Sequence, residues 1–141
     1  VNDLKLPLKF RLLHWGVASI IILNLFILEE GKQIHRYLGY ACVAFVFIRL
    51  LISKGRKVSH YNEKAKYVYW LMWTAIGGLG ITGFLMGLDR FFGNQLLEDI
   101  HEIISNSLIA LIVAHLGGVF FDAYKNKRKT WLLMFTGEKF K

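Results

Sequence analysis

Four apolar runs dominate this 141-residue chain, at 10–28, 34–52, 67–88 and 97–121. Each has about the twenty residues that a helix needs to cross a hydrocarbon core about 30 Å thick. Inside lipid, backbone N–H and C=O groups find no water, so a segment of this kind satisfies them within its own helix. A bundle of soluble amphipathic helices would need a polar face carrying charges at i, i+4 spacing. The stretches Val17–Phe26 and Tyr67–Leu88 show no such face. The expected fold is all-α, an integral membrane four-helix bundle forming a single domain over 1–141. One proline and thirteen glycines suit long helices that approach one another closely.

Charge sets the expected orientation. The formal net charge is +8, but the basic residues form no stripe with interleaved aromatics, so nucleic acid is not an expected partner. They gather in three segments between the apolar runs: Lys5, Lys9 and Arg11; Lys54, Arg56, Lys57, Lys64 and Lys66; and Lys125, Lys127, Arg128, Lys129, Lys139 and Lys141. Those fourteen of the eighteen basic residues fall on one side, against Lys32, Arg36 and Arg90 on the other, with Arg49 inside a span. The positive-inside rule then places both termini in the cytoplasm. The first span follows Lys9 and Arg11 as a signal peptide would, yet Ile27 and Leu28 lead straight into Glu29 and Glu30 without a small-residue cleavage site. It is read as a retained anchor. The basic tail 122–141, with Trp131 to Phe135 grouped in its middle, is expected to lie along the cytoplasmic leaflet.

Four histidines fall within these spans: His14, His35, His101 and His115. His101 and His115 are fourteen residues apart, which is within about 40° of a whole number of turns and about 21 Å along a helix axis. They share one face at two depths. In the expected topology His14 lies toward the cytoplasm, His35 and His101 toward the outside, and His115 toward the cytoplasm. Of the three ways to pair four histidines, depth selects one: His14 with His115, and His35 with His101. One turn after each lies a small residue, Ala18, Gly39, Ser105 or Gly118, leaving room beside the ring.

Two stacked imidazole pairs suit two bis-histidine haems. The one cysteine, Cys42, permits neither an internal disulfide nor a CxxCH attachment, so any haem is b-type. A closed zinc site needs four ligands at one depth. A proton path is the other use of intramembrane histidine, but no Asp or Glu falls in the middle of a span. Haem propionates favour guanidinium partners. Arg49, fourteen residues after His35, and Arg11, three before His14, are the candidates at the inner site, with Arg36 at the outer. His60 is read as a solvated loop residue.

The segments Arg11–Leu12–Leu13–His14–Trp15, His35–Arg36–Tyr37–Leu38–Gly39–Tyr40, Arg49–Leu50–Leu51, His101–Glu102 and His115–Leu116–Gly117–Gly118 occur in order on successive spans. Together with the closing Met134–Phe135–Thr136–Gly137, they resemble the bacterial cytochrome b561 / nickel-iron-hydrogenase b-type cytochrome family. The resemblance implies a four-helix bundle in the bacterial inner membrane holding two b haems. It implies His14, His35, His101 and His115 as iron ligands, beside which Gly39, Gly118, Arg11 and Arg49 are expected to meet the cofactor. It also implies electron exchange between quinone and a periplasmic redox protein such as a c-type cytochrome or a dehydrogenase subunit. The glycines of the third span, Gly77, Gly78, Gly80 and Gly83, are expected in helix packing or in a quinone pocket wall.

Three functions compete on the sequence alone. The first is a transmembrane electron carrier between the quinone pool and that partner. The second is a superoxide:quinone oxidoreductase of the kind within the same family. Superoxide is an anion, and the outer ends hold six acids (Glu29, Glu30, Asp89, Glu98, Asp99, Glu102) against three bases, which disfavours it. The third is a haem-free proton or ion transporter.

Overall fold

The chain folds into four long helices and a short fifth in a computed structural model that describes residues 6–53 and 64–138. Helix α1 spans Leu8–Phe26, α2 Gln33–Ser53, α3 Ala65–Met86 and α4 Gln95–Asn126. All four are long and apolar enough to cross a membrane, and no strand occurs among the described residues. His60 and the basic residues Lys5, Lys54, Arg56, Lys57, Lys139 and Lys141 lie outside the described residues.

Large apolar side chains point outward on every helix, for example Phe26, Phe47, Ile81 and Phe120, each more than half exposed. In lipid these are the satisfied surfaces, and helix association rests on close packing. Gly80 shows how close: a Cβ there would sit 2.6 Å from Val43 Cγ2, so only glycine lets α3 approach α2 at this register.

The turns explain where the helices stop. The α1 helix closes with the N–H groups of Ile27 and Leu28 both reaching the Leu23 carbonyl, at 3.1 and 2.8 Å. Gly31, at φ +81°, then reverses the chain into α2. The α3 helix ends at Met86, two residues short of the apolar run, and passes through a 3-10 turn at Asp89–Phe91. Asn94 caps α4 by accepting the Leu97 N–H at 3.2 Å, the usual role of an N-cap amide.

With 32 residues, α4 is about 48 Å long, well beyond one hydrocarbon thickness. It ends at Lys127 in the left-handed conformation, φ 49°. Asp122 organises the chain beyond that end: its carboxylate accepts from Arg128 Nε at 3.0 Å and Nη2 at 2.7 Å, from the Thr130 hydroxyl at 2.5 Å and from Asn126 at 2.7 Å. A second 3-10 turn, Thr130–Leu132, leads into α5, Leu133–Thr136. This segment folds back on the start of α1. Its last carbonyls find donors there: Arg11 Nη1 on the Phe135 carbonyl, Trp15 Nε1 on the Met134 carbonyl at 3.0 Å, and the Leu6 N–H on the Gly137 carbonyl at 2.6 Å.

The helices pack unevenly. α3 packs closely on α4 and on α2, and α2 on α1, whereas α4 makes no comparable approach to α1 or α2. A slot therefore runs between α4 and the α1–α2 pair. Halfway along, a small core closes it: Ile20, Ile21, Cys42, Val46, Ile76 and Leu108, with Leu108 only 1% exposed.

Candidate functional site

The slot holds the four histidines at its two ends. α1 supplies His14, α2 supplies His35, and α4 supplies both His101 and His115. Leu108 lies seven residues from each of the latter two, so the apolar core is a floor between two storeys. The His14 and His115 rings face each other with centres 6.4 Å apart and planes inclined by 52°. The His35 and His101 rings do the same, at 6.4 Å and 59°. All four side chains are half-buried. The structure thus brings together His14 with His115 and His35 with His101, and neither of the other two combinations.

The spacing has a chemical meaning. With metal–imidazole bonds of about 2.0 Å and ring nitrogens about 1.15 Å from the ring centre, two imidazoles trans on one metal have centres about 6.3 Å apart. The same distance lies within the ordinary range for packed rings, and Tyr40 and Phe84 meet at 6.4 Å and 59°, so the weight rests on its being two histidine pairs, one at each end of one slot. Among the described residues no three His, Cys, Asp or Glu side chains converge to hold a metal ion. A donor set of two imidazoles suits a metal that arrives with its own equatorial ligands, as porphyrin iron does. Among the described residues the buried Nδ1 atoms of His14 and His35 have no hydrogen-bond partner.

The outer pair opens into a cavity of about 750 Å³ bounded by all four helices, with His35, Gly39, Gly83 and His101 on its walls. A Cβ at Gly39 would meet only Asn24 Nδ2, at 3.8 Å, and one at Gly83 would meet His101 Cε1 at 3.6 Å. Asn24 donates to the His35 carbonyl at 3.1 Å, tying α1 to the first turn of α2. The mouth carries Glu30, Glu98, Asp99 and Glu102 against Lys32 and Arg36. Arg36 lies flat against Gly87, where a Cβ would come within 3.1 Å of its guanidinium carbon.

At the inner pair the surroundings differ. Tyr69 of α3 meets the His115 ring edge-on at 5.5 Å, and Trp15 meets the His14 ring edge-on at 5.2 Å. Trp15 also packs on Phe135 at 4.7 Å. The Arg49 guanidinium lies over the ring of Phe10 at 4.0 Å. Arg11 is turned toward α5, and its buried Nε has no hydrogen-bond partner among the described residues. Gly118 is exposed, and a Cβ there would meet nothing within 4 Å.

Two contributors have no signal in the spacing of the sequence. Thr82 of α3, a buried hydroxyl in an apolar helix, lies 2.7 Å from His101 Nδ1. The α5 segment brings Met134 and Phe135 against Trp15 across nearly the whole length of the chain. Of the third-span glycines, Gly80 abuts Val43 of α2, Gly78 abuts Ile104 of α4, and Gly83 faces His101.

Comparison with known proteins is consistent with this arrangement. The family model for prokaryotic cytochrome b561 matches residues 5–137. No curated protein and no solved structure matches the chain. With four spanning helices and a family match over almost its entire length, the chain belongs to the prokaryotic cytochrome b561 family and is a multi-pass bacterial membrane b-type cytochrome that functions in electron transfer.

Proposed function

We propose that the chain carries electrons across the bacterial inner membrane between the quinone pool and a periplasmic redox protein, through two b haems. In this reading His14 and His115 hold an inner haem, and His35 and His101 an outer one. The observation that carries it is the pairing of four half-buried histidines at two levels of one slot, each pair at a spacing that a shared metal could bridge. A haem held by both histidines of a pair would supply a reversible one-electron couple, with no position left open for dioxygen or substrate. The protein's part is positional. α4 sets the two sites about 21 Å apart along its axis, and Leu108 with its neighbours keeps water out of the space between.

Charge supports the direction. Lys9, Arg11, Lys64, Lys66, Lys127, Arg128 and Lys129 lie at the end carrying His14 and His115, which favours the cytoplasm for that end and for both termini. Arg49 stands beside the inner pair as a partner for a propionate and Arg36 beside the outer, while Arg11, turned toward α5, would have to leave the Phe135 carbonyl to join them. The acidic mouth of the outer cavity suits a basic partner such as a c-type cytochrome or a dehydrogenase subunit, and repels an anion such as superoxide.

The test is haem stoichiometry in the purified full chain. Two b haems per chain, with α bands split on reduction, are expected. One haem or none, after expression with ample haem, would overturn the reading. Quinol should reduce both haems in membranes, and a basic c-type cytochrome should reoxidise them faster than superoxide reduces them.

A further inference from the structure

We propose that Thr82 is a positioning residue for His101, holding its imidazole in the Nδ1–H form and thereby setting the potential of the outer site below what the same ligands would otherwise give. The inference rests on the reading of His101 as an iron ligand. Its geometric basis is independent of that reading.

Thr82 Oγ1 donates to the Gly78 carbonyl at 2.8 Å, with the Leu79 carbonyl also within reach at 3.2 Å. A hydroxyl has one proton to give and lone pairs to accept with. That proton is directed into the turn of α3 below it. At 2.7 Å from His101 Nδ1, the oxygen is therefore left to accept, and Nδ1 must be the nitrogen that carries hydrogen. Nε2 keeps its lone pair and is the nitrogen available to a metal.

This contact distinguishes His101 from two of the other histidines. His14 Nδ1 and His35 Nδ1, though buried, meet no such acceptor among the described residues. The site is also guarded sterically. Thr82 is itself buried, so its oxygen is not shared with bulk water, and Gly83 beside it gives the His101 ring room to lie against α3. A ligand imidazole that donates from its second nitrogen is a better electron donor from its first, and the acceptor on that second nitrogen fixes both tautomer and ring orientation. A more basic axial ligand favours the ferric state. Losing the acceptor should make the outer iron easier to reduce.

Redox titration of the full two-haem protein, wild type, T82V and T82S, tests this. The single-haem H101A protein serves to assign which step belongs to the inner site. In T82V the outer step should rise, by between twofold and tenfold in its reduction equilibrium, tenfold being 59 mV for one electron. The inner step should stay in place, and T82S, which keeps the hydroxyl, should titrate like wild type. If T82V alone loses the outer haem while T82S retains it at the wild-type potential, the positioning role stands. Unmoved potentials in a two-haem T82V protein would overturn the role of Thr82 and leave the haem reading intact. Equal shifts in T82S and T82V, or an equal shift at the inner step, would overturn it also. A wild-type protein without haem removes the reading beneath it.

Discussion

Trp15 donates its indole N–H to the Met134 carbonyl at 3.0 Å while its ring edge meets His14. One side chain thus links the C-terminal segment to the inner end of the slot. Replacing it with phenylalanine keeps an aromatic ring and removes the donor. A single hydrogen bond of this kind contributes about 1 kcal/mol. Amide exchange over 130–137 should then quicken by roughly fivefold in W15F, measured by hydrogen–deuterium exchange in detergent, with haem content unchanged. Unaltered exchange would show that Arg11 and Leu6 alone hold the segment.

The two storeys should be separable. H101A is expected to lose the outer haem and keep most of the inner, and H115A the reverse. Haem-to-protein ratio and the components of the split α band read this directly. Loss of both haems from either variant would mean that the slot fills only as a unit.

Gly80 has no room for a methyl group. G80A should push α3 from α2 and destabilise the bundle by about 1–3 kcal/mol, the usual range for an overpacked core, seen as a lower Tm in detergent. Trimming the opposing side chain in G80A/V43A should return part of the loss, since the two positions are in contact and therefore coupled.

Asp122 gathers Arg128, Thr130 and Asn126 around one carboxylate. Charge-assisted hydrogen bonds contribute about 1.5–3 kcal/mol, so D122A should expose the chain after α4 about tenfold more often or beyond. Trypsin cutting at Lys127, Arg128 and Lys129 measures it. D122N, which keeps some acceptors and loses the charge, should fall between D122A and wild type.

The fold and the histidine pairs were legible because both follow from one-dimensional rules. Apolar length locates a spanning helix, and alternating direction gives each histidine a depth. Where helices stop was less legible, because hydropathy marks the lipid boundary and not the last hydrogen-bonded turn. α4 accordingly runs past Phe121 to Asn126, while α3 stops before Gly87 and Leu88. Contacts that depend on how one helix is rotated against another left no trace in spacing. Thr82 reaches His101 because α3 lies tightly on α4, and nothing within α3 announces that. The return of Met134 and Phe135 to Trp15 is likewise a property of where α4 ends in space. The Arg11 guanidinium, expected beside a haem, is drawn in part to the Phe135 carbonyl for the same reason.

Because His101 and His115 ride on one continuous helix, α4 is a ruler shared by both storeys. Adding or deleting a single residue between them would swing one imidazole by about 100° relative to the other and take it off the slot altogether. Loops at either end can lengthen or shorten without that penalty. The thirteen residues separating these two histidines are therefore the stretch of this chain least able to change in number, whatever happens to their identity.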